Sequence, residues 1–371
     1  MIKGYYVHFE GRSSIGISKK IDMQMEALSN YFDMGEAEVD TSSRSLIKRI
    51  FGLFPTASIT RDYQGALDKL DHPDFLYVRR TVADRAYLSF WKKVKEKYPD
   101  CKIIIEIYTY PYDKDDFGRW DAWPFYLKEL LYRPKLKKYI NRFVTYTEDT
   151  EIFGIPTIRT INGVQIDKIE IVKGEYQENK ITMMAVAYMQ SHHGYERLIE
   201  GLRQYYQGNE HPYTVELLLI GDGPEKPLYE SLVQEYQLQE YVRFYPTMSG
   251  KQLDEMYDIS DIALASFGTY KKGVYTRLSA LKTREYLAKG MPIMTGCEID
   301  VLDEHYPFVK NFPNNAQAVD IMEVVKFYEK IKNEHTDKST VAKIIRDFAV
   351  SHVGMDSAMK PIVDYISSSQ R

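Results

Sequence analysis

The sequence is poor in cysteine and has no long apolar run. Among its 371 residues only Cys101 and Cys297 are cysteines, and their separation matches neither a zinc-ligand spacing nor a disulfide framework. A reducing, cytosolic setting fits this usage. No stretch of about 18 consecutive apolar residues occurs, so the sequence predicts no transmembrane helix. The N-terminus has too short an apolar run for a signal peptide, and we expect a first strand there.

Motifs of several well-known ligand sites are also missing. No GxGxxG or GxxxxGK[ST] occurs, which removes most support for nicotinamide cofactors and for P-loop chemistry. There is no zinc-finger spacing and no basic repeat interleaved with aromatic residues, so we expect no nucleic-acid partner. The composition, with 44% hydrophobic and 27% charged residues, is typical of an ordinary soluble globular protein.

Charge is unevenly distributed along the chain, although the net charge is only −4. Residues 1–165 contain 26 Lys and Arg against 23 Asp and Glu, and the remainder contains 23 against 30. Within the basic half, segment 44–54 (RSLIKRIFGLF) mixes three basic residues with six apolar ones, a composition typical of a helix in a lipid interface. A second basic segment, 132–142 (YRPKLKKYINR), could add to it. The alternative is that both segments are solvated helix faces.

Short apolar segments alternate with helical patterns, which predicts an α/β fold with parallel sheets covered on both faces. The predicted strands are 2–9, 75–79, 103–108, 142–147, 181–188, 215–220, 241–245, 262–266 and 292–295. A chain of this length favours two domains, and the polar stretch 160–180 predicts their boundary. We expect an N-terminal domain over 1–168, a C-terminal domain over 169–350, and a C-terminal helix within 351–371 that packs back on the first domain.

Two glycine-containing loops follow predicted strands. Gly221 and Gly223 lie between a strand and a helix, where small residues let backbone N–H groups approach a ligand. A tight turn at this place also needs glycine for its own sake. In the first half, Gly16 lies in a polar loop before a helix whose first turn carries Lys19 and Lys20. Cations are mildly disfavoured at a helix N-terminus, so these lysines indicate a nearby anion or simply point into water.

Segment 279–294 (SALKTREYLAKGMPIM) reads as a helix of about three turns followed by a strand. Ser279 is the predicted N-cap, and Gly290 is the predicted stop. Lys282 precedes Glu285 by three residues, so both side chains lie on one face near the helix start. A sugar nucleotide uses such a pair, because a carboxylate holds a ribose diol and a cation neutralises a diphosphate. The alternative is an internal Lys–Glu pair.

The order of several segments resembles the family-4 retaining glycosyltransferases of the GT-B fold, including bacterial enzymes that build capsular and exopolysaccharide repeat units. The segments are GISKKIDMQMEAL, FGIPTIRTINGV, MQSHHGYERLIEGL, LLLIGDGP, VRFYPTMSGKQLDEMYDISDIALAS and LKTREYLAKGMPIM, and the last is the most specific. The similarity covers nearly the whole chain. It implies two Rossmann-like domains whose parallel sheets face each other across a cleft, with the acceptor bound by the first domain and the nucleotide sugar by the second.

The resemblance also implies roles for individual residues. Glu285 would bind the donor ribose, and Lys282 would neutralise charge on the leaving diphosphate. The other predicted donor contacts are Gly16, Gly221, Gly223, the backbone around Tyr245 and Pro246, Arg277 and Ser279. Family members retain the anomeric configuration and use no metal, so the resemblance implies no cofactor beyond the nucleotide-diphosphate sugar itself.

At the diphosphate site the chain departs from the family pattern. The glutamate that usually stands eight positions before the ribose-binding one is Arg277 here. The usual Arg and Lys that clamp the diphosphate fall near Tyr188 and His193. The candidates to replace them are Lys271, Lys272, Arg277 and Lys282. His193 is predicted to donate to phosphate or to a sugar hydroxyl, with a packed or surface imidazole as the alternative.

Acceptor contacts are predicted in the first half of the chain. Glu106, Tyr108 and Thr109 lie at the end of a buried strand, where a carboxylate is costly unless it is used. The expected function is transfer of a sugar from a nucleotide diphosphate to a saccharide, in particular a lipid-linked one, at the inner face of the cytoplasmic membrane. His193, Lys282 and Glu285 are the predicted catalytic group, and segment 44–54 is the predicted membrane contact.

Two alternatives belong to other functional classes. The first is a catalytically weakened sugar-nucleotide-binding or scaffold subunit of a glycosyltransferase complex, which Arg277 favours. The second is a sugar-nucleotide 2-epimerase of the same fold, which needs several acids and histidines in both domains. The sequence has eight histidines, few of them near the motifs, and so gives the second alternative little support.

Overall fold

A computed structural model of the chain describes residues 1–9, 15–40, 54, 56–59, 61–113, 117–118, 122–272, 277–303, 305–335 and 337–368. These residues form two compact units: unit 1 consists of Met1–Ile161 with Met355–Arg371, and unit 2 of Asn162–Gly354. Within the described ranges, no helix combines the length and the apolar character needed to cross a membrane.

The helices and strands are numbered in chain order. The helices are α1 (Ile15–Ser29), α2 (Tyr63–Lys69), α3 (Arg85–Lys97), α4 (Trp123–Tyr132), α5 (Glu196–Gln207), α6 (Lys226–Glu235), α7 (Lys251–Asp258), α8 (Leu281–Lys289), α9 (Ile321–Glu334), α10 (Lys338–His352) and α11 (Met355–Ser368). The strands of unit 1 are β1 (Lys3–His8), β2 (Asp33–Glu38), β3 (Phe75–Arg79), β4 (Lys102–Ile107), β5 (Arg142–Thr145), β6 (Glu151–Ile152) and β7 (Ile155–Arg159). Those of unit 2 are β8 (Lys180–Val186), β9 (Thr214–Ile220), β10 (Val242–Tyr245), β11 (Ile262–Leu264), β12 (Arg277–Leu278), β13 (Ile293–Thr295), β14 (Glu298–Ile299) and β15 (Val309–Asn311).

The described strands of unit 1 form one sheet in the order β2-β1-β3-β4-β5-β7-β6. Neighbouring strands are parallel except β6 and β7, which are antiparallel. The central strands β3 (FLYVR) and β4 (KIIIEI) are apolar at nearly every position because helices cover both faces of the sheet. Helices α2 and α3 pack on one face, and α1 and α11 pack on the other.

The last helix of the chain belongs to unit 1. Met359, Ile362 and Ile366 of α11 are buried in the same cluster as the sheet residues Tyr6 and Tyr77. The hydroxyl of Thr160 donates to the carbonyl of Ala358, and Lys102 Nζ donates to the carbonyl of Ile366 at 2.9 Å. The chain therefore leaves unit 1 after β7 and returns to it with α11.

The boundaries lie at 161/162 and 354/355, whereas the sequence placed them at 168/169 and 350/351. The shift follows from hydrogen bonds made by the first residues of unit 2. The N–H of Val164 donates to the carbonyl of Val353 at 3.0 Å, and the side chain of Asn162 donates to the carbonyl of Ser279 at 3.2 Å. These bonds attach both crossing segments to unit 2 before the polar stretch begins.

In unit 2 the described strands form a parallel sheet in the order β10-β9-β8-β11-β13-β15. Two short strands, β12 and β14, pair separately. Counted from β8, the six strands follow the order 3-2-1-4-5-6 of a doubly wound Rossmann sheet. The chain runs outward from β8 to one edge and then outward from β11 to the other, so the strand order reverses between these two strands.

Candidate functional site

Ligands of doubly wound sheets bind beyond the carboxyl ends of the strands, where the strand order reverses. In unit 2 this place lies between the ends of β8 and β11. The loops that follow them, 187–195 and 265–272, are named here the switch-point loops. The chain continues from these loops to opposite sides of the switch point, which is the place where doubly wound folds form a ligand crevice.

Direct backbone contacts fix the two switch-point loops against each other. The N–H of Phe267 donates to the carbonyl of His193 at 2.8 Å, and that of Gly268 donates to the carbonyl of His192 at 3.1 Å. Gly194 has φ +64°, and a Cβ at this position would lie 2.4 Å from the backbone nitrogen of Gly268. Glycine is therefore required here by both conformation and space, and the position of His193 is rigidly set.

His193 presents one defined hydrogen-bond donor. Its Nδ1 accepts from the N–H of Gln190 at 2.9 Å, so the ring proton resides on Nε2. Burial, together with the charges of Lys282 and His192, lowers the pKa of His193 to about 2, which keeps the imidazole neutral. Among the described residues Nε2 has no acceptor, and it is not one of the fully buried polar atoms. The packed ring thus keeps a reachable N–H.

Lys282, in the first turn of α8, is a half-buried cation without a carboxylate partner in the described chain. Its Nζ donates to Tyr195 Oη at 3.2 Å and to the carbonyl of Ala265 at 3.3 Å. Burial lowers the pKa of Lys282 to about 7. The alternative of an internal pair with Glu285 is not formed between these two residues. An anion placed here would find a third N–H and would raise the pKa of the ammonium group.

The other cations proposed to replace the family's diphosphate clamp are differently placed. Lys271 Nζ pairs with Glu196 at 2.6 Å, and Arg277 Nη2 donates to the carbonyl of Asp300 at 2.8 Å. Lys272 is exposed, and its charge contributes to the low pKa of His193. Lys272 and Lys282 both lack an acidic partner in the described residues, and of these two Lys282 is the one that hydrogen bonds hold in a half-buried position.

Glu285 lies one turn after Lys282 and is half-buried. The next residue, Tyr286, is fully buried; its hydroxyl accepts from the N–H of Val186 at 3.1 Å and donates to the carbonyl of Leu264 at 3.3 Å. Burial raises the pKa of Tyr286, and the negative charge of Glu285 adds to the effect. Tyr286 therefore joins the ends of β8 and β11 to α8, the helix that carries Glu285.

Gly221 and Gly223 are required by backbone packing, in agreement with the alternative that the tight turn needs glycine for its own sake. Their φ angles are +128° and +141°, and a Cβ at Gly221 would lie 2.0 Å from the carbonyl oxygen of Ala187. The Gly221 N–H donates to the carbonyl of Tyr245 at 3.0 Å, and the Gly223 N–H donates to Asp222 Oδ1 at 2.9 Å. Neither N–H is left for a ligand, so any contact with a nucleotide uses the small size of these residues.

Ser279 does not cap α8; the N-cap is Ala280, which makes no side-chain cap bond. Instead, Ser279 Oγ accepts from Arg284 Nη2 at 3.1 Å and from the N–H of Asn162 at 3.3 Å. Arg284 is fully buried and forms an ion pair with Asp300. No local pattern predicts this cluster, since its members are up to 138 positions apart. Ser279 thus has a structural role in the start of α8.

A cavity of about 590 Å³ adjoins the end of β13. Its lining includes Arg277, Cys297, Asn311 and Asn314. Burial raises the pKa of the Cys297 thiol, while a hydrogen bond with Thr295 and the charge of Lys282 oppose this shift. Cys297 therefore lines the cavity and lies near enough to Lys282 to be influenced by its charge. This cavity extends the polar region at the sheet edge toward Arg277.

Tyr245, Pro246 and Gly16 are the remaining predicted donor contacts. Tyr245, at the end of β10, is half-buried, and Pro246 after it is exposed. Tyr188, at the position of the family's arginine, exposes 66% of its surface. Gly16 lies in the first turn of α1 in unit 1, and residues 10–14 before it are outside the described ranges. The nucleotide contacts predicted for these residues stay predictions.

The predicted acceptor residues of unit 1 divide into two groups. Tyr108 and Thr109 are half-buried, and the Arg79 guanidinium lies 4.5 Å from the centre of the Tyr108 ring. Glu106 is fully buried: its Oε1 accepts from the hydroxyl of Tyr146 and from Gln24 Nε2, the latter at 2.9 Å. Glu106 has no exposed atom in this structure, and its contact with an acceptor stays a prediction.

Comparison with known proteins gives a family match in unit 2 and a fold for the whole chain. Residues 167–272 match the family described as "Glycosyl transferases group 1". No curated protein matches the chain by sequence. A glycosyltransferase from Rickettsia africae has 13% identity and a TM-score of 0.62, with 99% of this chain and 98% of that chain covered. Sucrose-phosphate synthase from Thermosynechococcus elongatus has 13% identity and a TM-score of 0.62, with both chains fully covered.

A third solved structure is the lipopolysaccharide outer core galactosyltransferase WaaB, with 12% identity, a TM-score of 0.60, and 99% and 100% of the two chains covered. Likeness at these identities establishes the fold alone. The chain has the GT-B fold, with two parallel-sheet units of Rossmann type, as predicted. The family match of residues 167–272 supports a glycosyltransferase.

Proposed function

We propose that this protein transfers a sugar from a nucleotide-diphosphate donor to a saccharide acceptor. The observation that carries the proposal is the arrangement at the switch-point loops, where Lys282 has no described acidic partner and His193 keeps a free Nε2–H. Both are donors, so this place suits a ligand rich in negatively charged oxygen atoms. The match of residues 167–272 to a glycosyltransferase family makes the diphosphate of a sugar nucleotide the ligand of choice.

The proposed chemistry needs no nucleophile from the protein. The bond from the sugar C1 to the diphosphate oxygen breaks, and the acceptor hydroxyl forms the new C1–O bond on the same face while its proton passes to the departing diphosphate. Retention and independence from metal come from the family resemblance. Lys282 and the His193 Nε2–H would stabilise the negative charge that develops on the leaving oxygen atoms, and Glu285 would hold the ribose diol. Electrostatic stabilisation of this kind is usually the largest contribution to such catalysis.

The proposed acceptor is a saccharide, in particular the lipid-linked saccharide of a polysaccharide or capsule repeat unit. The similarity of fold to WaaB, a lipopolysaccharide galactosyltransferase, supports this class. The proposed place of action is the inner face of the cytoplasmic membrane. Segment 44–54, the predicted membrane contact, lies outside the described residues except for Phe54. Tyr108 and Thr109 stay the proposed acceptor contacts of unit 1.

Calorimetric titration of the full chain with UDP, GDP and dTDP, and then with their sugar derivatives, tests the donor site. We expect one nucleotide to bind clearly better than the others, and its sugar derivative to be hydrolysed slowly or transferred to an added saccharide. A folded protein that binds none of these nucleotides would contradict the proposal.

A scaffold subunit with a weakened donor site is the second candidate. It is favoured by Arg277, which replaces the usual glutamate and is engaged with the carbonyl of Asp300. The two functions differ in turnover, because a scaffold binds the sugar nucleotide without hydrolysing or transferring it. The R277E variant sharpens the comparison: it would raise turnover if Arg277 has weakened an ancestral active site, and would lower it if Arg277 serves the present enzyme.

A further inference from the structure

Helix α4 (Trp123–Tyr132) is amphipathic in the reverse of the usual sense. Its large apolar side chains point to solvent: Trp123 is 56% exposed, Leu127 37%, Leu130 43% and Leu131 46%. Its two charged residues, Lys128 and Glu129, are 0% and 1% exposed. A surface helix ordinarily buries its apolar stripe against the core and exposes its charges. The exposed set is named here the α4 face.

The orientation of α4 is fixed by polar contacts on its inner side. Glu129 accepts from the N–H of Ala83 at 2.8 Å, from Arg80 at 3.3 Å and from the hydroxyl of Tyr112 at 3.2 Å. On the same side, Lys128 Nζ donates to the backbone carbonyls of Phe54 and Ala57. Rotating the helix to bury the leucines would break these bonds and leave buried polar groups unpaired, which is strongly unfavourable.

Exposed basic residues follow the α4 face directly. The 3₁₀ turn Arg133–Lys138 continues the chain from α4; Lys135, Lys137 and Lys138 are exposed, and Leu136 is buried. Phe54, whose carbonyl accepts from Lys128, is 59% exposed. An apolar surface of Trp and Leu with lysines at its border is the chemistry of a protein surface that inserts into a lipid interface and pairs with anionic headgroups.

We propose that the α4 face, together with Lys135, Lys137 and Lys138, docks unit 1 on an anionic lipid bilayer. This proposal names the partner surface of the proposed peripheral enzyme and rests on that function for its biological reason, while the docking depends on unit 1 alone. The aromatic and aliphatic side chains would enter the boundary between headgroups and acyl chains, and the lysines would contact the headgroup phosphates.

A second copy of the chain fits this surface less well than a bilayer does. A ten-residue helix is about 15 Å long and about 10 Å wide, a footprint well below the ~800 Å² that each partner buries in a stable dimer. A twofold contact through α4 would also bring the lysines of both copies toward one interface, where like charges repel. An anionic bilayer satisfies both the apolar face and the basic border.

Sedimentation of the full chain with vesicles tests the proposal. We expect binding to phosphatidylcholine vesicles that contain phosphatidylglycerol, and much weaker binding to phosphatidylcholine alone. The variant L127Q/L130Q/L131Q should bind the anionic vesicles at least about tenfold more weakly, because the inserted apolar surface is lost. Its matched control is L228Q/I344Q/V350Q, which changes three comparably exposed apolar residues of unit 2.

The basic border is tested separately. K135Q/K137Q/K138Q should weaken binding to the anionic vesicles on the order of 100-fold at low salt, given the usual contribution of a lysine near an anionic surface. Its matched control, K251Q/K330Q/K343Q, removes three exposed lysines of unit 2 and should bind as the unchanged chain does. Nucleotide binding measured on the same variants should stay unchanged, which separates failure of the docking from failure of the proposed function.

Trp123 reports insertion directly. Measured in a W120F background, which removes the tryptophan three positions before it, its fluorescence should shift to shorter wavelength on anionic vesicles and be quenched by brominated lipid, and the signal should disappear in W120F/W123F. Trp91 is fully buried, so it does not contribute to the change. Vesicle binding that is unchanged in L127Q/L130Q/L131Q would overturn the proposal. So would a dimer in size-exclusion chromatography with light scattering that this variant converts to monomer without any vesicle binding.

Discussion

Charged and polar side chains near the carboxyl edges of the two sheets differ in the partners that the fold provides for them. In unit 1, Glu106 is sealed in the interior and held by Gln24 and Tyr146, with Arg79 Nη1 3.9 Å from its Oε2. In unit 2, Lys282 lacks a described acidic partner, and His193 keeps a reachable N–H. Glu106 thus receives hydrogen bonds from within unit 1 on one of its two oxygen atoms, whereas Lys282 and His193 in unit 2 keep donors that a ligand can use. The comparison indicates that a ligand site is recognised by the donors that folding leaves unused.

Among the variants proposed here, substitution of Lys282 should cause the largest loss of activity at the open donors of unit 2. In K282M the donor diphosphate loses its closest described cation, and kcat/KM should fall on the order of 100-fold, as for loss of one partner of a partly buried charge pair. Steady-state transfer or donor hydrolysis measures this change. The control is K251M, an exposed lysine in the first turn of α7.

Stability distinguishes loss of the ligand contact from loss of the fold. The folded-state pKa of Lys282 is about 7, against an ordinary value of 10.5, so the folded chain releases a proton that the unfolded chain keeps. Stability of the unchanged protein should therefore rise between about pH 7 and pH 10.5 from this group. K282M should be the more stable protein below pH 7, with an advantage that shrinks above it. If K282M unfolds more easily at pH 6, Lys282 has a structural role instead.

The pH dependence of donor binding follows from the same group. A diphosphate near Nζ would raise the pKa of Lys282, so binding above pH 7 must take up a proton. Affinity for the nucleoside diphosphate should fall as pH rises above about 7, by up to tenfold per pH unit. Calorimetry at pH 8 in buffers of different ionisation enthalpy measures the proton uptake. A pH-independent affinity, or the same uptake in K282M, would remove Lys282 from the diphosphate contact.

Substitution of Glu285 should cause the next largest loss, in this case of nucleotide affinity. E285A should weaken nucleotide binding by roughly 1 to 3 kcal/mol, because a ribose diol loses charge-assisted hydrogen bonds. Comparison of a nucleoside diphosphate with its 2′,3′-dideoxy analogue assigns the loss: the unchanged protein should discriminate between them, and E285A should not. E230Q, at an exposed glutamate of α6, is the control. Equal discrimination in E285A and the unchanged chain would place the carboxylate away from the ribose.

Substitution of His193 should give a smaller loss. H193A removes one neutral donor and should lower kcat/KM about tenfold, whereas H193Q keeps an N–H donor and should recover part of it. Because the pKa of His193 is about 2, neither variant should change the shape of the pH profile near neutrality. A neutral-pH limb that disappears in both variants would show that the imidazole titrates during turnover.

The strands that could be predicted from the sequence are those buried on both faces. β3 (FLYVR) is a continuous apolar run, and all nine predicted strands appear in the structure with small shifts at their ends. β2 (DMGEAE) was missed, since it lies at the sheet edge and is held by pairing with β1 rather than by an apolar pattern. The inverted helix α4 was also missed, because its sequence does not tell which face will be buried.

Local spacing predicted that Lys282 and Glu285 share one helix, but the partners of each charge are set by residues far away in the chain. Arg284, between them, reads as a surface charge and is fully buried because Asp300 and Asn162 reach it from elsewhere. From the sequence, Glu106 is interpreted as a carboxylate available to a ligand. In the structure its donors are Gln24 and Tyr146, which are 82 and 40 positions away. A sequence shows which charges are unusual, and only the fold shows which of them remain available.

Substitution of Glu106 should have the smallest effect on binding of the nucleotide donor. E106Q keeps the size of the side chain and an acceptor at the position of Oε1, where the hydrogen bonds from Tyr146 and Gln24 both end. It removes the negative charge and places an amide NH2 at the position of Oε2, where it faces Arg79 Nη1. We expect a loss of about 1 to 3 kcal/mol in the free energy of unfolding, with nucleotide affinity unchanged. E216Q is the matched control, since Glu216 is a buried carboxylate of β9 paired with Lys180. If E106Q keeps its stability and instead raises the KM for the acceptor, Glu106 contacts the acceptor after all, and the contrast between the two sheet edges disappears.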